Sequence, residues 1–492
     1  MKQHIIPVLF LVFYISGCHQ ATFKPTPNPN PWEDNYLAIS GMEHYKHWGA
    51  YNVHDPACKK IGGYYYTYST DAIYNENRKE AAEKEIPIGY IQIRKSKDLV
   101  DWEFVGWALS KIPREATEWV HQHSGGREAT NIWAPYIVQH NDVYRLYYCV
   151  SAFGRKTSYI GLAESPSPEG PWDLKGCVVR TDNESIMNAI DPSVIVDPET
   201  GKWWMHYGSF FGGLFCVELD PATGLTKTEN DQGHLIARRA NYRKDNLEAP
   251  EIIYHPGLKK YFLFYSYDPL MTTYNVRVSR SNSPEGPFYN FSDKDVRDTI
   301  NSFPILTAPY RFEGHSGWAG VAHCGVVEDN GRYFMLHQAR LSPQNQLMVL
   351  HIREIFFNSD GWPVVSPERY AGTTPRSFRT HDIAGEWEMI RIIEPLHERQ
   401  LEAGQILWGE GELKDKECNK SFKLDLRKNG SAGTNGKWSF TEQKQILKLT
   451  IDNEEIQELI IFAGQDWENE QETILFTGLD SRGRSVWGKR VK

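Results

Sequence analysis

Three acidic residues set the chemical possibilities of this chain. Asp55 lies in His54-Asp55-Pro56, Asp191 in Asn188-Ala189-Ile190-Asp191-Pro192, and Glu248 in Leu247-Glu248-Ala249-Pro250. Each stands at or beside the start of an apolar run, where apolar neighbours would be usual, and each run leads through a Gly/Pro turn into an aromatic one. Taken singly, an Asp before Pro opens a strand or caps a turn; Asp197-Pro198 is such a case. Three acids at one recurring location have a chemical use. Two carboxyl groups on opposite sides of a glycosidic bond cleave it, one protonated to donate to the leaving oxygen and the other ionised. When the second activates a water, the pair stands roughly 6.5–9.5 Å apart and the product is inverted. A third carboxylate raises the pKa of the acid by like-charge repulsion.

Acids so far apart in sequence need a fold that brings equivalent positions together, and the chain repeats. His54-Asp55-Pro56 leads to Gly62-Gly63 and Tyr64–Ser69; Trp133-Ala134-Pro135 leads to Asn141-Asp142 and Tyr144–Tyr148. Ile190-Asp191-Pro192 leads to Trp203–Tyr207, Glu248-Ala249-Pro250 to Tyr261–Ser266, and His323-Cys324-Gly325 to Tyr333–His337. The units are anchored on residues 55, 134, 191, 249 and 324. Each interval holds further strand signals, and Ser167-Pro168-Glu169-Gly170-Pro171-Trp172 is nearly repeated as Ser283-Pro284-Glu285-Gly286-Pro287-Phe288. Short strands, Gly/Pro turns and four strands per unit describe an all-β, five-bladed β-propeller. The first strand of every blade lines the axis, so Asp55, Asp191 and Glu248 converge.

The whole-chain properties agree. At 492 residues the chain has room for two domains. Tyr (26), Phe (22) and Trp (16) are plentiful, which suits a β-rich protein with aromatic surfaces. A net charge of −9 argues against a nucleic-acid partner, and no Walker loop or G-x-G-x-x-G calls for a nucleotide cofactor. Residues 1–17 read as a signal peptide: Lys2, an apolar run from Ile5 to Ile15, then Ile15-Ser16-Gly17-Cys18, similar to a bacterial lipobox with Cys18 acylated. Residues 18–35 form a Pro/Asn-rich tether. The propeller is expected over 36–372. A small antiparallel β-barrel or sandwich follows over 380–492, where alternating runs such as Glu386–Ile392 and Ile446–Ile451 flank Asn-Gly turns. The later cysteines, Cys58, Cys149, Cys177, Cys216, Cys324 and Cys418, form no C-x-x-C pair; most read as buried thiols, and no disulfide is predicted.

As a set, the three acidic motifs resemble the catalytic motifs of glycoside hydrolase family 43. Trp133-Ala134-Pro135, Ser151-Ala152-Phe153-Gly154, Gly208–Gly213 and Gly361-Trp362-Pro363-Val364 resemble its endo-α-1,5-L-arabinanase branch. The resemblance covers about residues 40–370 and implies an inverting, five-bladed propeller. It makes Asp55 the general base, Glu248 the general acid and Asp191 the pKa modulator and orienter. It also places His323 beside a central metal, usually calcium, held otherwise by water; calcium's preference for oxygen makes one imidazole a weakly specified site. Sugar contacts are expected from His54, Trp133, Phe153, Asn188 and Ser209, whereas Asp71, Glu251 and Glu328 are assigned to structure or solvent. The expectation is an endo-acting arabinanase on polysaccharide substrate, monomeric, lipid-anchored to the outer membrane and facing periplasm or surface. Two alternatives stand beside it: an exo-acting α-L-arabinofuranosidase or β-xylosidase on the same fold, and a non-catalytic glycan-binding lipoprotein.

Overall fold

The computed structural model describes residues 36–239, 245–343, 346–395, 413–451 and 454–491. The expected leader, the tether and Cys18 lie outside the described residues. Four successive units fold as four-stranded antiparallel sheets. They comprise His54–Ile61, Tyr64–Thr70, Tyr90–Ser96 and Glu103–Leu109; then Trp133–His140, Val143–Ser151, Ser158–Ser165 and Asp173–Thr181. Ser193–Val196, Trp203–Tyr207, Leu214–Leu219 and His234–Ala237 form the third, and Leu247–His255, Lys260–Tyr267, Asn275–Ser281 and Ile305–Thr307 the fourth. The tight turns fit their sequences: Gly62 and Gly63 both have positive φ, as a two-residue hairpin between twisted strands demands. Second strands such as Tyr64–Thr70 and Trp203–Tyr207 are buried almost throughout, because neighbouring sheets cover both faces. Their sequences therefore read as continuous aromatic runs rather than as alternation.

The units interlock by a repeated contact. The Tyr68 hydroxyl in the first unit donates to the Pro168 carbonyl of the second, 2.5 Å. His206 in the third meets the Pro284 carbonyl of the fourth in the same way, 2.6 Å. The two near-identical Ser-Pro-Glu-Gly-Pro segments are thus docking loops for the preceding sheet. The first unit also meets the last. Gly325 lies so close to strand His54–Ile61 that a Cβ on it would come within 2.5 Å of the Pro56 carbonyl oxygen, and Lys60 and Tyr65 both bind Asp329.

The last unit differs from expectation. Cys324–Asp329, Arg332–Leu341, Met348–Phe357 and Pro363–Val365 belong to a seven-stranded sheet that also contains Tyr310–Arg311, Trp318–Ala319 and Asn419–Lys420. The cause is the length of Arg332–Leu341. It pairs with Cys324–Asp329 along one half and with Trp318–Ala319 at its far end. Two helices also interrupt the all-strand reading, Asn75–Glu83 inside the first unit and Arg114–His123 after it. The first is built from Glu, Lys, Arg and Ala, which favour helix.

The C-terminal part is a closed barrel of eight strands: Gly385–Arg391, Phe422–Leu426, Ser431–Ala432, Gly436–Thr441, Ile446–Ile451, Glu454–Asp466, Gln471–Leu479 and Ser485–Arg490. This settles barrel against sandwich. Trp387, Met389, Leu447, Leu449 and Phe476 fill its interior. Closure leaves no open sheet edge. Asn419–Lys420 leaves the barrel to pair, in parallel, with Tyr310–Arg311, stitching the two parts together. The later cysteines are all free thiols.

Candidate active site

At the inner start of each unit the backbone makes one and the same bend. Asp55, Ala134, Asp191, Ala249 and His323 have φ of 48°, 36°, 58°, 58° and 52°. A left-handed conformation costs a residue with a Cβ about 1–2 kcal/mol. What it yields is aim. The ladder slips at His54/Ala57, Trp133/Tyr136 and Glu248/Glu251, and a bulge re-directs side chains that regular pleating would send to opposite faces. From each unit the residue at the bend, the one before it, or both then reach a single cavity: Asp55, Asp191 and His323 from the bends, His54, Trp133, Ile190 and Glu248 from the positions before them. This corrects the repeat register. The last unit is anchored on His323 rather than Cys324, and Glu248 sits one position ahead of Asp55 and Asp191.

Side chains from neighbouring units hold the bends. The Ala134 amide donates to Thr70 Oγ1, 2.7 Å, and the His323 amide to Ser266 Oγ, 2.9 Å. The Ala249 amide donates to Asp191 Oδ2, 3.2 Å, so one catalytic candidate fixes the backbone beside another. Glu248 is held at both oxygens: Tyr274 donates its hydroxyl to Oε1 at 2.6 Å and Ser209 donates to Oε2 at 2.7 Å. Asp55 Oδ1 lies 2.8 Å from His323 Nδ1 and 2.6 Å from His54 Nδ1. Both approaches are close but off the angle of a good hydrogen bond, and Asp55 Oδ1 and His54 Nδ1 stay unpartnered in that sense.

The electrostatics divide the carboxyls. Burial disfavours charge on Asp55, yet His323 and His54 outweigh it and hold its carboxyl well below the ordinary range. Burial pushes Asp191 well up; His323 opposes this, and the nearby Glu248 and Asp55 add to it. Glu248 is also raised by burial, against the pull of the Tyr274 and Ser209 hydrogen bonds. His323 is pushed up to about 9, its burial overcome by Asp55, Asp191 and Glu248. The cluster thus favours the charged form of Asp55 and disfavours it on Asp191 and Glu248.

The cavity holds about 370 Å³. Trp133 and Phe153 line it and meet edge to face, centroids 6.3 Å apart; Phe153 is 38% exposed, an apolar face at the mouth. Asn188 lines it too, its Oδ1 taken by the Ser158 hydroxyl at 2.6 Å. Ser209, expected to hold sugar, spends its hydroxyl on Glu248 instead, and His54 lies against Asp55. Tyr274 is a residue the sequence reading missed, since nothing in its pattern separates it from the many core tyrosines. Asp71, assigned to structure, does line the cavity, whereas Glu328 faces solvent. Glu251 is buried on the axis below, binding Ser193 Oγ and the Val326 amide, and burial raises it to about 7.

His323 also borders a void of about 20 Å³ on the axis, shared with Asp55, Asp191 and Glu251. Such a space takes about one water-sized species. An ion there would find a single imidazole, its Nδ1 turned to Asp55, and would have to take its remaining ligands from water.

Comparison with known proteins agrees with this geometry. The chain is 29% identical over 486 residues to an extracellular endo-α-(1→5)-L-arabinanase of Thermotoga petrophila, covering 89% of this chain and 94% of that protein. It is 30% identical to an extracellular exo-α-(1→5)-L-arabinofuranosidase of Cellvibrio japonicus, over 64% of this chain and 86% of the other. The crystal structure of endo-1,5-α-L-arabinanase from Thermotoga petrophila superposes with a TM-score of 0.71 at 27% identity, covering 90% of this chain and 99% of that one. Residues 367–488 match a C-terminal lipocalin-like domain. Residues 49–363, which carry all three acids and every bend, match glycosyl hydrolases family 43, and the chain belongs to that family.

Proposed function

We propose that this protein is an endo-acting, inverting hydrolase of α-1,5-linked L-arabinan in which Asp55 is the general base, Glu248 the general acid and Asp191 the residue that orients and tunes them. One observation carries the reading: Glu248, pinned at both oxygens by Tyr274 and Ser209, shares one cavity with a histidine-flanked Asp55. Asp55 takes a proton from a water as that water attacks the anomeric carbon. Glu248 gives its proton to the departing glycosidic oxygen, and the configuration inverts. Asp191 contributes through its bond to the Ala249 amide, which fixes the backbone beside Glu248, while burial and the nearby Asp55 raise Glu248 itself.

The five recurring bends and the contact between first and last units support a ring of five blades, the seven-stranded sheet supplying the fifth. The match to the Thermotoga endo-enzyme extends through the barrel, and two endo-arabinanases of Bacillus subtilis match as well, which supports endo action. His323 would hold calcium through Nε2 together with waters only as the neutral ring, the ion replacing the ring proton and supplying positive charge to the carboxyls in its place. Export, with Cys18 as lipid anchor to the outer membrane, follows from the leader, and a monomer is expected. The barrel buttresses the propeller. A time course of products from linear arabinan, wild type beside Glu248→Ala, tests the reading. Mixed oligosaccharides appearing early, and absent with the variant, support it; arabinose alone from the start overturns endo action.

A further inference from the structure

The first unit carries something the catalytic scheme does not use. Between strands Tyr64–Thr70 and Tyr90–Ser96 the chain leaves the sheet for an insert, residues 71–89, that contains the helix Asn75–Glu83. Ile73, Tyr74, Asn75 and Glu76 of this insert line the cavity. Ile73 is buried, yet Tyr74 is 42% exposed, one of the few large apolar side chains left open. Its hydroxyl is within electrostatic reach of Arg340, a fully buried guanidinium that also lines the cavity.

Its position is not left to the loop. Asp71 Oδ1 accepts from the Ile73 amide at 3.0 Å, from Asn131 Nδ2 at 3.1 Å and from Arg78 Nη2 at 3.4 Å. Arg78 continues to Asn131 Oδ1, 3.2 Å, and to the Gly89 carbonyl, 3.0 Å, and its guanidinium lies over the Tyr90 ring at 4.1 Å. The start, helix and end of the insert are thus tied to each other and to Asn131, two residues from Trp133. The Asp71 side chain is fully shielded from solvent, so it acts through this clamp rather than by touching a ligand. An aromatic side chain kept partly open on so well-fastened a support, at the wall of a sugar-binding cavity, has a use. A pentose ring presents C–H groups on one face, and an aromatic ring gives such a face a flat, weakly negative surface to lie on.

We propose that Tyr74 is a sugar-binding platform for an arabinose unit other than the one being cut, and that the Asp71–Arg78–Asn131 clamp positions it. The inference rests on the arabinanase reading above. Because Tyr74 touches none of the three carboxyls, its contact is equal in ground state and transition state, so it sets the affinity for the chain rather than the rate of bond cleavage.

The test compares wild type, Tyr74→Ala, Tyr74→Phe and Arg78→Met on linear arabinan, with steady-state kinetics and thermal unfolding of each. Tyr74→Ala is expected to raise KM about three- to tenfold, the scale of one aromatic contact, with kcat within about twofold. Tyr74→Phe keeps the ring and stays near wild type. Arg78→Met shifts KM in the same direction as Tyr74→Ala, with an unchanged fraction of folded protein. An unchanged KM in Tyr74→Ala overturns the platform, as does a loss confined to kcat. A wild-type KM in Arg78→Met overturns the clamp. Wild-type protein that cuts no arabinan overturns the arabinanase reading and this inference with it; wild-type activity with an indifferent Tyr74→Ala overturns this inference alone.

Discussion

The molecule buries two groups of carboxylates, and they are treated in opposite ways. In the cavity, Asp55, Asp191 and Glu248 share two imidazoles that both sit against Asp55. At the seam between propeller and barrel, Glu368, Glu388, Asp466 and Glu468 surround one ammonium. Lys489 Nζ lies 2.7 Å from Asp466 Oδ1, 3.1 Å from Glu368 Oε1 and 3.6 Å from Glu388 Oε2, and it bonds Glu468 as well. Carboxylate oxygens of Glu368, Asp466 and Glu468 all fall within 4.8 Å of one another, a spacing a metal ion would accept, but the cation there is the lysine's own. Burial opposes charge on Lys489, and the acids around it more than reverse that, raising it above the ordinary lysine range. The seam therefore sets one lysine charge among four acids, burial still pushing Glu368 well up and Glu388 up, and closes over them. The cavity leaves two carboxyls without a fixed cation and open to a ligand. Reactivity comes from what remains unneutralised.

The largest effect should come from the one cavity acid that is held ionised. Asp55→Asn keeps the size and loses the base, and kcat on arabinan should fall about 10²–10⁴-fold, the usual weight of general base catalysis. Thermal unfolding of the same variant should show a loss of stability as well, because the folded state favours the Asp55 charge through His323 and His54 and the variant leaves His323 without its partner. Activity near wild type would break the contrast by showing that the ionised state of Asp55 has no use. At the seam the effect is expected on stability alone. Lys489→Met leaves four buried acids without their cation, and removing one partner of a buried pair costs about 3–5 kcal/mol. Denaturant titration should register that loss, while kcat of the protein that remains folded stays within about twofold. A variant stable as wild type would mean that the seam acids simply hold protons.

How far the sequence discloses the two groups follows from how each is encoded. Asp55 and Asp191 stand before proline at the start of repeated units, so a period in the sequence exposes them. Glu248 is found the same way, but the bend at Ala249 that shifts it by one position is a backbone feature with no residue signature; alanine and histidine occupy that bend as readily as aspartate. Tyr274 and Tyr74 look like any tyrosine in a chain with 26 of them, and only the approach of separate units gives them partners. The seam is less legible still. Glu388, Asp466 and Lys489 sit on barrel strands whose alternation marks every second residue as solvent-facing, and the propeller covers that face. A period-2 pattern reports that a face is polar; what lies over it depends on how two domains meet. The closed barrel itself was half visible, since alternation with Asn-Gly turns implies an antiparallel sheet but not its closure.

The finest test of the contrast lies inside the cavity, at the hydrogen bond from Tyr274 to Glu248. A hydroxyl that donates to a carboxylate favours the charged form, so this bond lowers the pKa that burial raises. Tyr274→Phe removes the donor and keeps the ring. Glu248 should then hold its proton to a higher pH. Since the general acid works only while protonated, the alkaline limb of kcat/KM for arabinan should move upward, and the acid limb should stay. At the optimum kcat should fall only about three- to tenfold, the scale of one neutral hydrogen bond, because Ser209 still holds Oε2. An alkaline limb that moves downward, or a loss as large as that of Asp55→Asn, would mean that Tyr274 takes part in the proton transfer itself rather than in aiming the acid.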